Sequence, residues 1–90
     1  MIPTEKIELF DNALLKILEA NNTPWGLQSA ALCMFAREFG FSPSAPEAVP
    51  RLEYLTAKGM AQEVPKVLSK ANRAWKITDA GRRYLDEQGF

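Results

Sequence analysis

The stretch that decides the fold is Ser44–Leu85, with the sequence SAPEAVPRLEYLTAKGMAQEVPKVLSKANRAWKITDAGRRYL. Its first part predicts a helix (helix 3), because Ser44 and Glu47 have the Ser-x-x-Glu spacing of a capping box. Gly59 follows as a C-terminal cap. Pro50 lacks an N–H group and clashes with a regular helical turn before it. Two alternatives therefore stay open: the helix starts nearer Glu47, or its first turn is irregular.

The second part of the stretch predicts a hairpin followed by another helix. Residues 60–68 and 73–78 have the composition and alternation of two strands, and Pro65 confines the first strand to an edge or a bulge. Thr78 is a favourable N-terminal cap for the last helix (helix 4), which Gly89 is expected to end. The predicted order is helix, hairpin, helix.

Two further helices are predicted before this stretch. Helix 1 is expected from Glu5 to about Ala20, because apolar residues recur there at helical spacing. Helix 2 is expected from about Leu27 to Phe39, and its wide apolar arc suggests a helix packed between two others. Residues 23–26 form an extended connection, where a short strand joins the later hairpin.

Composition predicts one globular domain over residues 1–90 without catalytic machinery. The 90 residues are 47% hydrophobic and 24% charged, which is ordinary for such a domain. Cys33 is the only cysteine and histidine is absent, so a thiolate zinc site and the commonest general base are both missing. We therefore expect no enzyme activity, no metal and no cofactor. With no signal-peptide pattern and no membrane-spanning apolar run, we expect a cytoplasmic protein without a membrane partner.

Charge is unevenly distributed along the chain. Residues 1–50 contain three basic and six acidic residues, a net charge of −3, whereas residues 51–90 contain eight basic and five acidic residues, a net charge of +3. Such asymmetry is typical of a basic half that binds an anionic partner. Ordinary variation of a protein surface is the alternative explanation.

Two motifs resemble one known superfamily. The run Leu52–Met60, LEYLTAKGM, resembles the recognition-helix pattern Leu-x-x-Leu-x-x-x-Gly of winged helix-turn-helix proteins. The run Trp75–Leu85, WKITDAGRRYL, resembles the strand-to-helix exit of bacterial and phage regulators with this fold. The resemblance covers nearly the whole chain. It implies a mainly α-helical (α+β) fold in the order helix 1, strand stub, helix 2, helix 3, hairpin wing and helix 4.

The resemblance also implies a small DNA-binding transcriptional regulator. Proteins of this fold place the recognition helix in the major groove of double-stranded DNA and the wing on the flanking backbone. Arg51 is the best candidate for a base contact, because its guanidinium can pair with a guanine edge. Hydroxyls before helix 3 and cations of the wing suit phosphate. The implied DNA contacts are Ser42, Ser44, Glu47, Arg51, Tyr54 and Lys58 in helix 3 and its turn, and Lys66, Lys70, Arg73 and Lys76 in the wing.

Other interpretations of the same residues stay open. Glu47 lies four residues before Arg51, so the two side chains can pair with each other and occupy the arginine. Helix 3 is close to neutral, which also fits a winged helix that binds protein or forms a subunit of a larger assembly. A homodimer through helix 1 or helix 4 is a further possibility, with Leu9 and Ala13 as a second apolar face of helix 1.

Three side chains outside these motifs also carry predictions. We expect Trp75 to lie in the core or over the base of the hairpin. Trp25 is expected to pack under the hairpin, and exposure in a partner interface is the alternative. Cys33 is expected to be a small buried apolar side chain, because no cationic neighbour along the sequence suggests an activated thiolate.

Overall fold

The computed structural model describes residues 2–64 and 73–89. The helices are α1 (Ile7–Ala20), α2 (Ser29–Ala36), α3 (Ala45–Ala57) and α4 (Asp79–Glu87), and the strands are β1 (Leu27–Gln28), β2 (Ala61–Val64) and β3 (Ala74–Ile77). Short 3-10 turns precede α1 at Thr4–Lys6 and follow α2 at Arg37–Phe39. None of the helices in the described part of the chain is long and apolar enough to span a membrane.

The sheet joins the short strand between α1 and α2 to the two strands of the hairpin. Its strand order is β1-β3-β2, and both pairings are antiparallel. Leu27 lies opposite Trp75 in one pair, and Ala61 lies opposite Ile77 in the other. The predicted hairpin is confirmed over the described strands, whereas Pro65 and the rest of the predicted first strand lie outside the described residues. A strand stub is present, but it takes residues 27–28 and not the predicted residues 23–26. Helix 2, which was predicted from Leu27, therefore begins at Ser29.

Helix α3 runs unbroken from Ala45 through Pro50 to Ala57, so neither alternative raised by Pro50 is needed. Pro50 is exposed on the side of the helix that faces away from the core. Pro46 occupies the first turn, where the missing N–H group costs nothing. Gly59, with φ 79°, follows the last turn as predicted.

The core lies between the helices and one face of the sheet. Trp75, Phe10 and Leu52 are among its fully buried side chains, which confirms the prediction for Trp75. The expectation that Trp25 packs under the hairpin is wrong, because its side chain is 71% exposed. Trp25 lies in the turn before β1, next to Gly26, which packs closely against the backbone of Trp75.

Helix α2 also differs from its predicted burial. Its apolar arc is wide, but Leu32 and Ala36 are its fully buried residues and Met34 is exposed. Cys33 is partly rather than fully buried, and its burial raises the pKa of the thiol above the usual range. The expectation of an unreactive thiol therefore agrees with its surroundings.

Thr78 connects the end of α3 to the start of α4. Its hydroxyl donates a hydrogen bond to the carbonyl oxygen of Gly59 at 2.6 Å and accepts one from the backbone N–H of Gly81 at 3.1 Å. Its own backbone N–H donates to the carbonyl oxygen of Met60 at 3.1 Å. The predicted cap is confirmed, and it also fixes α4 against the start of the hairpin.

Gly81 is required by close packing at this junction. A Cβ atom there would lie 2.7 Å from Cγ1 of Ile77 and far inside van der Waals contact of the Met60 carbonyl oxygen.

We therefore expect Gly81→Ala to destabilise the protein by about 1–3 kcal/mol, although alanine is the better helix former. Urea unfolding followed by circular dichroism measures the change. The matched variant Arg83→Ala, at an exposed position of the same helix, should stay within about 0.5 kcal/mol of wild type. Equal stabilities of the two variants would contradict this account of Gly81.

Candidate nucleic-acid interface

Ser44 and Glu47 form the N-terminal cap of α3. The backbone N–H and the hydroxyl of Ser44 both donate to Oε1 of Glu47, each at 3.1 Å. The hydrogen bond from the Ser44 backbone is the main reason why the pKa of Glu47 is lowered to about 2. A carboxylate therefore sits where a DNA phosphate would meet the helix N-terminus. Ser42 is exposed in the turn before the helix.

Arg51 is held by a carboxylate of α1. Its Nε donates to Oδ1 of Asp11 at 2.9 Å, and its Nη2 donates to Oδ2 at 2.6 Å. Asp11 is 8% exposed, so this bidentate pair is largely shielded from water. The hydrogen bonds from Asp11 raise the pKa of Arg51 above its ordinary value. Pairing of Arg51 with Glu47, which the sequence suggested, is replaced by this contact across the two helices.

Tyr54 lies between two cations. The guanidinium carbon of Arg51 is 4.4 Å from the ring centroid of Tyr54, and Nζ of Lys58 is 5.4 Å from it. The three residues line a cleft of about 370 Å³ together with Glu8 and Tyr84 of the flanking helices. They therefore face the side of α3 that lies towards α1 and α4.

The side of α3 directed away from the core carries a different set of residues. Ala48, Leu52 and Leu55 are its buried residues, and the direction opposite to them is occupied by an exposed strip. This outward strip consists of Pro46, Pro50, Glu53 and Ala57. It contains one carboxylate and no cation.

The positive charge of Arg73, just before β3, is also neutralised by carboxylates. Nε and Nη2 of Arg73 donate to the two carboxylate oxygens of Glu63, both at 2.9 Å, and Nη2 also lies 3.4 Å from Oε2 of Glu53. The guanidinium covers the ring of Trp75 at 4.9 Å from its centroid. The hydrogen bonds from Arg73 hold the pKa of Glu63 below its usual range. Arg73 therefore links the two strands of the hairpin to each other and to α3.

The remaining predicted wing residues lie in two places. Lys76 is half-buried on β3, beside Asp79 and Arg82 at the start of α4. Lys66 and Lys70 lie outside the described residues, so their predicted contacts with DNA stay predictions. Among residues 2–64 and 73–89, no group of three histidine, cysteine, aspartate or glutamate side chains is placed to hold a metal ion.

The ion pair between Asp11 and Arg51 should contribute to stability. Arg51→Ala leaves the nearly buried carboxylate of Asp11 without a cation, so we expect a decrease of about 2–3 kcal/mol in the free energy of unfolding. Urea unfolding measures it. Lys58→Ala is the matched control, because it removes an exposed cation from the same side of α3 and should cost about 0.5 kcal/mol or less. Equal midpoints for wild type and Arg51→Ala would show that the pair is not formed in solution.

The cap of α3 should make stability depend on acid pH. Because the pKa of Glu47 is lowered to about 2 in the folded chain, its contribution is complete above about pH 4.5 and is lost as the pH falls towards 2. Glu47→Gln should therefore lower the urea midpoint at pH 6 and show a smaller decrease between pH 6 and pH 3. Glu87→Gln, an exposed carboxylate of α4, is the control. A decrease in Glu47→Gln as large as that of wild type would contradict the prediction.

The comparisons with known proteins bear on the fold. No family model matches the sequence, and no curated protein matches it. Among solved structures, the chain is similar to the crystal structure of a PadR family transcription regulator from hypervirulent Clostridium difficile. The two share a TM-score of 0.68 at 16% sequence identity, over 89% of this chain and 82% of that chain. The chain therefore has a winged helix-turn-helix fold.

Proposed function

We propose that this protein is a DNA-binding regulator that contacts the phosphate backbone through its wing and has little preference for base sequence. The observation that carries the proposal is the fold, which a transcription regulator shares over most of the chain. Winged-helix proteins of this kind bind duplex DNA with α3 and the wing on one side of the domain. The charges on these two elements decide which kind of contact is available.

The outward strip of α3 supports binding without base recognition. Sequence recognition in the major groove needs side chains that donate to or accept from base edges, and arginine is the commonest of them. Pro46, Pro50 and Ala57 offer no such group, and Glu53 is engaged by Arg73. Arg51 is bound to Asp11 on another side of the helix. A carboxylate in the groove also repels phosphate.

The cations left for DNA are mainly lysines of the wing. Residues 65–72, PKVLSKAN, contain Lys66 and Lys70 and no acidic residue. Lys76 on β3 and Lys58 at the end of α3 add to them. Lysine ammonium groups bind phosphate as point charges, and each phosphate neutralised releases counterions, so the affinity should fall steeply with salt.

The proposal is tested with duplexes of unrelated sequence. Wild type should bind them with similar affinity at low salt, and Lys66→Ala/Lys70→Ala should weaken binding to all of them equally. The slope of log affinity against log salt should become smaller by about 2, or about 0.9 for each phosphate that the variant no longer neutralises. Fluorescence anisotropy of labelled duplexes over a salt series measures both quantities.

Two control variants separate wing contacts from general charge. Lys6→Ala/Arg83→Ala removes the same net charge from the turn before α1 and from α4, and it should keep the wild-type slope. Arg73→Ala should also keep it, because Arg73 is neutralised by Glu63 and Glu53. Failure of the wild-type protein to bind any duplex at low salt would end the proposal. Strong preference for one duplex would contradict backbone binding.

A further inference from the structure

The strongest unexplained feature is an apolar groove on the far side of α1 from Arg51. We call it the α1 groove. It lies between α1 and the turn that leads into α3, and it has a volume of about 340 Å³. Leu9 and Phe39 form its walls and remain 56% and 43% exposed, although both are large apolar side chains. Ala13 and Phe41 complete its apolar lining.

The groove is a fixed part of the fold. Phe41 packs on Phe10 of the core with ring centroids 5.2 Å apart, so the lining is continuous with the interior. Gly40 ends the 3-10 turn with φ 84°, and a Cβ placed on it would meet nothing within 4 Å. The groove is therefore open at Gly40, because no atom lies close to the side of the backbone where a side chain would stand. Ala13 is small and buried, which leaves depth between Leu9 and Phe39.

The polar groups of the groove indicate the charge of what binds there. Lys6 and Lys16 lie at its two ends, about 15 Å apart along α1 at the rise of an α-helix. No acidic residue lines it. Asn12, which is 5% exposed, lines both this groove and the cleft on the Arg51 side of α1, where its side chain hydrogen-bonds Tyr84. A bound segment with a carboxylate near Lys6 complements the groove.

The exposure of the groove favours a polypeptide over a small molecule. Pockets for small ligands enclose most of the ligand's surface, whereas this groove leaves both of its walls in contact with solvent. A segment of a partner protein inserts one bulky side chain into such a groove and extends beyond both ends. The distance between Lys6 and Lys16 corresponds to about ten residues of a docked helix.

We propose that the α1 groove binds a segment of another protein that carries one bulky apolar anchor flanked by aspartate or glutamate. The anchor fills the space between Leu9 and Phe39, and a carboxylate approaches Lys6. No residue of the groove belongs to α3 or to the hairpin, so a partner binds here without competing for the DNA surface. The proposal does not depend on DNA binding.

Selection from a random displayed peptide library on the full chain tests the proposal. The selected peptides should share an aromatic or large aliphatic residue with aspartate or glutamate on its flanks. With a fluorescein-labelled selected peptide, Leu9→Ala and Phe39→Ala should each weaken binding at least tenfold. Trp25→Ala and Met34→Ala are matched controls, because they truncate large exposed apolar side chains outside the groove, and they should change binding less than twofold. Circular dichroism melting confirms that all four variants are folded.

The charge preference has its own variant. Lys6→Glu should weaken binding of the acidic peptide at least tenfold, and a peptide with lysine in place of its acidic residues should regain affinity for this variant. Peptides without acidic flanks, peptides that respond to Trp25 or Met34, or a library that yields no groove-dependent binder would each overturn the proposal. Sedimentation equilibrium adds a further test, since self-association abolished by Leu9→Ala would show that a second copy of the chain occupies the groove.

Discussion

Asp11 is a carboxylate in the middle of the buried stretch of α1, and its need for a cation constrains the arrangement of the helices. An isolated carboxylate with so little exposure is costly, so the guanidinium of Arg51, 40 residues further along the chain, must reach it. The bidentate geometry fixes the distance and rotation of α3 against α1 more tightly than apolar contacts alone. Tyr54 then takes its place against the same guanidinium. The ion pair thus helps to determine which residues of α3 face outwards.

The ion pair explains why α3 matches the sequence pattern of a recognition helix and yet has few outward side chains that could bind the edges of bases. The superfamily pattern is made of leucines and a glycine, which specify packing and a helix end, and it contains no information about bases. In this chain Arg51, the residue just before the motif, stabilises the contact with α1, and the outward positions are occupied by prolines, alanine and glutamate. A winged-helix fold and a base-reading helix are therefore separate properties.

The elements predicted correctly from the sequence are those specified by neighbouring residues. Ser44 and Glu47 interact over three residues, Thr78 caps the helix that follows it, and the alternation around Trp75 defines a strand with one buried face. Each of these depends on hydrogen bonds or periodicity within a few residues. Because such features occur in order along the chain, they were sufficient to predict the winged-helix fold, which the structure confirms.

The predictions that were wrong depend on contacts between distant segments. Trp25 is exposed in the turn where Gly26 packs against the backbone of β3, and no periodicity around residue 25 reveals that arrangement. The partner of Arg51 is on α1, although the residue four positions earlier in the sequence looked suitable. Leu9 and Ala13 were recognised as a second apolar face of helix 1, but only the turn at Phe39 makes them a groove. Sequence patterns identify which side chains are apolar or charged, and the tertiary arrangement determines what they meet.

The same distinction applies to charge. The excess of +3 in residues 51–90 suggested a basic half, yet Arg51, Arg73 and Arg82 of that half each bind a carboxylate in the folded chain. One of these carboxylates, Asp11, comes from the acidic half. The positive charge that remains for a polyanion is carried mainly by lysines, which attract phosphate without the planar fork that recognises guanine. The sum of charges along a stretch of sequence is therefore a poor guide to the charge available on the folded surface, because each arginine that binds a carboxylate within the fold is neutralised there.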